Sequence, residues 1–377
     1  IETAQNQVDL ISQPCPSGDD LTFENTLISL ESAYEALSRP WGLVSHLDSV
    51  SNSDQLREAY NAMLPKVSEF YSKVPLNSGL WNRIKAYSET EEAKSLSGTR
   101  LRFLEETLSD FQNSGADLPN EDKSRLMQIE SELAQKTQKY SENVLDSTNQ
   151  WELIVDNEED LAGLPENSKA AALENAKSKE IGSEEDPKWR FTLQAPSFFP
   201  VLEHVHSDSI RKKVWEGTCS IGASGDYDNS NLVWEILELR QKKAELLGKK
   251  NFADQVLQRR MAKSGATALE FVEDLHQRTK PFFDVETQDL EKYKAQVDGG
   301  ESSAMEPWEI AYWSEKRRKA EYDFDDEELR PYFSMEKVID GMFSIATKIF
   351  GIRINQPENQ PEVWHEEVKF YEIHDED

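Results

Sequence analysis

Residues 22–37 read TFENTLISLESAYEAL. Phe23, Leu27, Leu30, Tyr34 and Leu37 recur at intervals of 4, 3, 4 and 3, which sets all five on one side of an α-helix. Thr22 offers the side-chain oxygen an N-cap needs, and Arg39-Pro40 is expected to end the helix because proline cannot donate to the ladder. Working outward, Ser53 caps a second helix carrying Leu56, Tyr60, Met63, Leu64 and Val67, with a kink expected at Pro65. Residues 110–120 hold Gly115 and Pro119 among polar neighbours and read as a loop. Leu126, Ile129, Leu133, Tyr140 and Val144 then mark a long helix with charged outer faces. Such stripes are first of all core, helices packed on helices.

Two segments depart from this period. Trp151, Leu153 and Val155 alternate with polar residues, as do Trp189, Phe191 and Leu193, and period-2 patterns of this kind predict short strands. The acidic run from Gly182 to Pro187 between them reads as a solvated turn. Helices resume with Leu232, Ile236, Leu239, Lys243 and Leu246, ended by Gly248. Ser264 or Thr267 starts another with Leu269, Val272 and Leu275, and Met335 to Phe350 forms one more, stopped by Gly351. Val363 to Ile373 reads as an extended strand. The pattern predicts a mainly α protein with a few strands, divided into 1–150, a connecting segment 151–205, and 206–377.

The chain has 377 residues, and 42 Lys plus Arg against 72 Asp plus Glu give a formal charge of −30. A surface this negative repels phosphate backbones and anionic headgroups, so neither nucleic acid nor membrane is an expected partner. Only 16 Gly and 15 Pro mean few turns per unit length, which favours long helices over a many-stranded sandwich. No run approaches the ~18 apolar residues that span a bilayer. Cys15 and Cys219 have no CxxC spacing, which fits a reducing compartment, and no basic-then-apolar leader is visible from Ile1; a cytoplasmic protein is expected.

The residue types that do chemistry give no complete constellation. Of the histidines His46, His204, His206, His276, His365 and His374, only His365-Glu366 begins like a zinc-binding HExxH, and position 369 is Lys. His204 and His206 could share a metal in a strand but not in a helix, and no third ligand is recognisable beside them. Cys219 has no identifiable partner base, and GxSxG, Walker A and GxGxxG are all absent. Asp325-Asp326-Glu327-Glu328 reads as an acidic cluster at a helix N-terminus rather than an acid/base pair.

Longer strings are more specific. Asp228-Asn229-Ser230, Ile236 to Arg240, Ala244 to Gly248, Asn251-Phe252-Ala253-Asp254 and Met261-Ala262 follow one another in order. Glu306-Pro307-Trp308-Glu309, Tyr312, Tyr322-Asp323, Glu327 to Phe333, Gly341 and Ile349-Phe350-Gly351 continue the series. In order and spacing they resemble the thimet oligopeptidase/oligopeptidase A family of zinc metallopeptidases. Upstream, Arg39-Pro40-Trp41, Leu56 to Tyr60, Val144-Leu145-Asp146 and Leu161 to Pro165 resemble its bacterial oligopeptidase A branch. Glu309 stands where the family usually has Asp.

The resemblance implies a multi-helix, two-lobed architecture whose channel admits short peptides to one Zn2+, where an activated water attacks the scissile carbonyl. It also implies a cytoplasmic endopeptidase of short oligopeptides, monomeric at full length. The family's HEFGH zinc helix has no counterpart among these residues. No catalytic, cofactor-binding or metal residue is therefore carried over, and the chain is expected to be the N-terminal portion, inactive alone. The alternative is a non-catalytic relative that binds peptides or proteins.

Overall fold

The structure, a computed structural model, describes residues 1–13, 21–322 and 328–375. Helix α1 (Glu2–Ile11) lays Ala4 and Val8 into the first core. The stretch quoted above starts as expected: Thr22 Oγ1 accepts the Asn25 N–H at 3.2 Å, and Asn25 Oδ1 accepts the Thr22 N–H at 3.0 Å. This reciprocal pairing satisfies two donors that a helix start leaves open. One wide turn, Glu24–Ile28, leads into α2 (Ser29–Val50). Phe23, Leu27, Leu30 and Leu37 are buried as the spacing predicts, and Tyr34 packs beside them.

Pro40 does not end the helix. It lies inside α2, which runs ten residues further. The hydrogen bond lost to the proline is offset by packing, because the next residue, Trp41, stacks on Tyr60 at 4.8 Å and 13° and rests on the core. In α3 (Asp54–Leu76) the Ser53 cap forms as expected, and the helix continues through both Pro65 and Pro75. Of its apolar stripe only Val67 is fully buried, and Met63 is exposed.

Helices α4 (Ser78–Ser88), α5 (Glu91–Lys94) and α6 (Gly98–Asn113) follow. The loop expected over 110–120 is shorter than its composition suggests. Helix α6 continues to Asn113 because Phe111 is buried and stacks on Trp81 at 5.9 Å. Gly115 then turns the chain at φ +90°, where a Cβ would sit 2.8 Å from Leu118 and Leu126 side-chain carbons. The 31-residue α7 (Asn120–Gln150) buries Leu126, Ile129 and Leu133, while Tyr140 stays exposed.

Strands β1 (Glu152–Val155) and β2 (Trp189–Thr192) pair antiparallel, Leu153 opposite Phe191 and Val155 opposite Trp189. Helix α8 (Glu166–Ser178) lies between them in sequence and covers β2, whose four residues are all buried. The acidic segment before β2 is the exposed turn that was expected.

Helices α9 (Ala195–His204), α10 (Asp208–Cys219), α11 (Ser230–Leu246), α12 (Phe252–Leu257), α13 (Gly265–Asp298), α14 (Pro307–Tyr322) and α15 (Met335–Phe350) complete the helical framework. Ser264, not Thr267, caps α13, and Gly351 ends α15 at φ +65°. The final strand is much shorter than expected. Only β4 (Glu372–Asp375) is extended and paired, antiparallel to β3 (Ile352–Asn355), and residues 363–371 form no strand. Among the described residues the fold is mainly α, with two small antiparallel sheets. Among the described residues no helix is long and apolar enough to cross a membrane.

Candidate functional site

The histidines do not converge. His46 on α2 meets the ring of Trp364 edge-on at 4.6 Å, His276 is exposed on α13, and His374 on β4 faces Glu372 at 3.2 Å. His365 Nδ1 accepts the Glu367 N–H, a local turn contact. His204 ends α9 and His206 lies in the following turn, so the strand arrangement that could bring both onto one metal is not formed. That turn packs on Gly163 (φ +92°), where a Cβ would be 2.2 Å from the His204 carbonyl oxygen and 2.5 Å from the His206 ring. Cys219 is exposed at the end of α10. Cys15, Asp323 and residues 325–327 lie outside the described residues. No group of three or more His, Cys, Asp or Glu among the described residues could hold a metal ion, so the zinc implied by the resemblance does not fit a site here and no metal-dependent step is derived.

What the sequence strings do bring together is a set of polar joints, some buried and some at the surface. The most developed surrounds Arg211, whose side chain is 3% exposed. Its Nη1 donates to the Val205 carbonyl at 2.6 Å and the His206 carbonyl at 2.9 Å. Nη2 donates to Asp208 at 2.9 Å, Nε donates to the Trp308 carbonyl at 3.3 Å, and the guanidinium lies 4.2 Å over the Tyr312 ring. Trp308 Nε1 returns a bond to the Asp208 carboxylate at 3.1 Å. One cation thus fixes the turn after α9, the start of α10 and the start of α14. A rigid fork with five donors suits this task, and lysine would not serve.

The string Glu306-Pro307-Trp308-Glu309 is a helix start. Proline sits at the first helical position, and Glu309 Oε2 accepts the Glu306 N–H at 2.9 Å. Either Asp or Glu can close that bond, which explains why the departure at 309 is mild. Lys294 of α13 also donates to Glu309, at 2.6 Å. Burial pushes the Glu309 carboxyl up, but the bonds from Lys294 and the Glu306 N–H outweigh it and hold the group below its ordinary value. Nearby, the Tyr293 hydroxyl donates to the Lys316 carbonyl, and Leu290, Tyr312 and Trp313 form a small core.

The other strings are joints too. Asp228 Oδ1 accepts the Ser230 N–H and hydroxyl, and these bonds pull its carboxyl below the usual range. Asn229 is buried, accepting from Asn143 Nδ2 at 2.8 Å and donating to the Tyr140 carbonyl at 3.2 Å, which locks α11 to α7. Ile236 and Leu239 meet Ile129 and Leu133 in the same interface. Asn251 caps α12, and Asp254 Oδ1 accepts the Gly265 N–H at 2.8 Å, tying α12 to α13. Arg259, just before α13, pairs with Glu106 and Asp110 of α6. These positions are legible from sequence as order and spacing, but nothing in the sequence shows Arg211 as the hub of the joint between α9, α10 and α14 beyond an acid three residues before it.

The remaining feature is apolar. Every residue from 269 to 283 on α13 is exposed, including Leu269, Val272, Leu275 and Phe282. Helix α15 buries no residue at all, and Phe350 is 72% exposed. Among the described residues it packs on β3 and, through Phe343, meets Tyr371. Contiguous apolar helix faces of this size mark interaction surfaces.

Comparison with known proteins places this framework among peptidases. The profile of peptidase family M3 matches residues 201–377, and that of the neurolysin/thimet oligopeptidase N-terminal domain matches residues 17–123. Oligopeptidase A of Haemophilus influenzae is 35% identical over 382 residues, covering all of this chain and 54% of the relative. Oligopeptidase A of Escherichia coli is 34% identical over 95% of this chain and 52% of its own length, and the probable cytosolic oligopeptidase A of Arabidopsis thaliana is 33% identical over 92% and 50%. Residues 201–377 thus carry the match to peptidase family M3, and oligopeptidases A align along nearly the whole length of the chain. It spans about half the length of the curated relatives it matches.

Proposed function

We propose that this chain is the helical, substrate-enclosing part of a zinc-dependent oligopeptidase that hydrolyses short peptides in the cytoplasm and works as a monomer. The observation that carries the reading is the pairing of two facts. The chain aligns end to end with about half of an oligopeptidase A, and α13 and α15 hold out apolar faces that a complete globular protein would cover. The motif residues fit this role because they build joints rather than chemistry. A wall of welded helices keeps its shape while substrate passes, and a channel between such walls admits unstructured peptides and excludes folded proteins. The 72 acidic residues leave the exterior without affinity for nucleic acid.

The test uses the intact gene product that contains this chain. Incubated with zinc, it is expected to cleave internally quenched short peptides and to leave a folded protein substrate intact. Activity should disappear on chelation and return with added zinc. A zinc-loaded gene product that leaves a varied set of such peptides uncut overturns the reading in favour of a peptide-binding relative.

A further inference from the structure

Lys123 is a buried cation without a counter-charge. The residue is 8% exposed, and its ammonium donates to the Leu76 carbonyl at 3.2 Å and the Ser78 hydroxyl at 3.4 Å. No carboxylate among the described residues lies within ion-pair distance, and the third N–H has no acceptor there. Capping the C-terminal carbonyl of α3 accounts for part of its stabilisation, since a helix C-terminus favours positive charge. It does not replace the lost hydration of a buried ammonium, which normally demands an anion.

The surroundings supply room for one. Lys123 lines a cavity of about 350 Å³ between α1, α3 and the first turns of α7. Lys73 lines it as well, bonded at 2.5 Å to Glu69 on its own helix. Asn77 and Asn120 also line it, and the side-chain N–H groups of both have no acceptor among the described residues. None of the lining residues is acidic, on a protein whose acids outnumber its bases 72 to 42. Val8, Val74 and Met127 form an apolar part of the wall.

We propose that this cavity binds the oxyanion group of a small molecule, a phosphate in preference to a carboxylate. The buried Lys123 and two amides, with the half-exposed, Glu69-paired Lys73 beside them, match a dianion with several acceptor oxygens better than a monoanion, and the apolar wall receives the organic part of the ligand. The site is separate from the exposed faces of α13 and α15, and it stands whether or not the peptidase reading does.

Calorimetric titration of the chain with inorganic phosphate and with acetate, at ionic strength held constant with chloride, tests it. Saturable phosphate binding is expected, with acetate at least tenfold weaker. Lys123→Met should weaken phosphate at least tenfold and Asn120→Ala a few-fold. Acetate binding as tightly as phosphate overturns the preference. No saturable heat from either anion, or a folded Lys123→Met that binds like wild type, overturns the site. Should Lys123→Met fail to fold, amide exchange of the wild-type chain decides. Phosphate-dependent protection confined to residues 73–78 and 120–127 supports the proposal, and its absence there refutes it.

Discussion

Replacing Arg211 with Met removes the hub of the joint between α9, α10 and α14 while leaving a side chain of similar reach. Four hydrogen bonds are lost, three of them to backbone carbonyls, together with the cation over Tyr312. The Asp208 carboxylate is about half exposed and is rehydrated at little cost, so its share is small. The Val205 carbonyl is not, because that residue is fully buried. Breaking a buried charged network of this kind costs about 3–5 kcal/mol, a large part of the 5–15 kcal/mol by which proteins are ordinarily stable. In urea, with a slope of about 3 kcal/mol per molar, the midpoint should fall by roughly 1–2 M. Tryptophan fluorescence is the suitable probe, since Trp308 and Trp215 lie 5.7 Å apart beside the joint. Arg211→Lys should recover less than half of the loss, because one ammonium cannot serve both ends of the fork. Arg39→Ala, which removes an exposed pair with Glu35, serves as reference and should stay within about 0.5 kcal/mol. An Arg211→Met protein within about 1 kcal/mol of wild type would refute the assignment of the joint to this residue.

Gly163→Ala combines a left-handed backbone with a Cβ driven into the His204 carbonyl, and should destabilise by at least ~2 kcal/mol in the same urea assay. Asn229→Ala strands the buried Asn143 amide and removes a second donor from the Tyr140 carbonyl, at a cost of about 1–3 kcal/mol, read as lost amide-exchange protection where α7 meets α11. Glu309 is held below its ordinary value of 4.5 in the folded state, so its stabilising contribution is present above that pH and is lost as pH falls through the lower folded value. Glu309→Gln should therefore lower stability at neutral pH and flatten the acid limb of the stability curve; an unchanged limb counts against the Lys294 pairing. Phe282→Ser on the exposed span of α13 should leave the urea midpoint within about 0.5 kcal/mol and reduce self-association measured by light scattering.

The helices were legible because their cores obey one period. Phe23, Leu27, Leu30 and Leu37 are buried where the spacing put them, and Thr22, Ser53, Gly248 and Gly351 act as ends. The misreadings have physical causes. Pro40 is tolerated inside α2 because Trp41 finds a stacking partner distant in sequence, and a local rule cannot see that contact. The apolar spacing of α13 and α15 is as regular as that of α2, yet these faces are exposed, since period reports only that a face is apolar and not what covers it. The family strings were readable as a resemblance before they were readable as physics. Their meaning as joints needed Arg211, Lys294 and Asn143, which meet their partners across long stretches of chain.

Among the described residues, helix α13 is held near both ends and is exposed from 269 to 283 between them. At its start Asp254 fastens it to α12, and just ahead of it Arg259 ties the chain to α6; near its finish Lys294 and Tyr293 fasten it to α14. Its 34 residues span about 50 Å, so it acts as a beam clamped at two supports. The beam sets how far apart those supports stand, and adding or removing one turn would shift one anchorage by ~5 Å against the other. Pro281 lies within the unsupported span and removes the bond to the Gln277 carbonyl, so bending under load concentrates there.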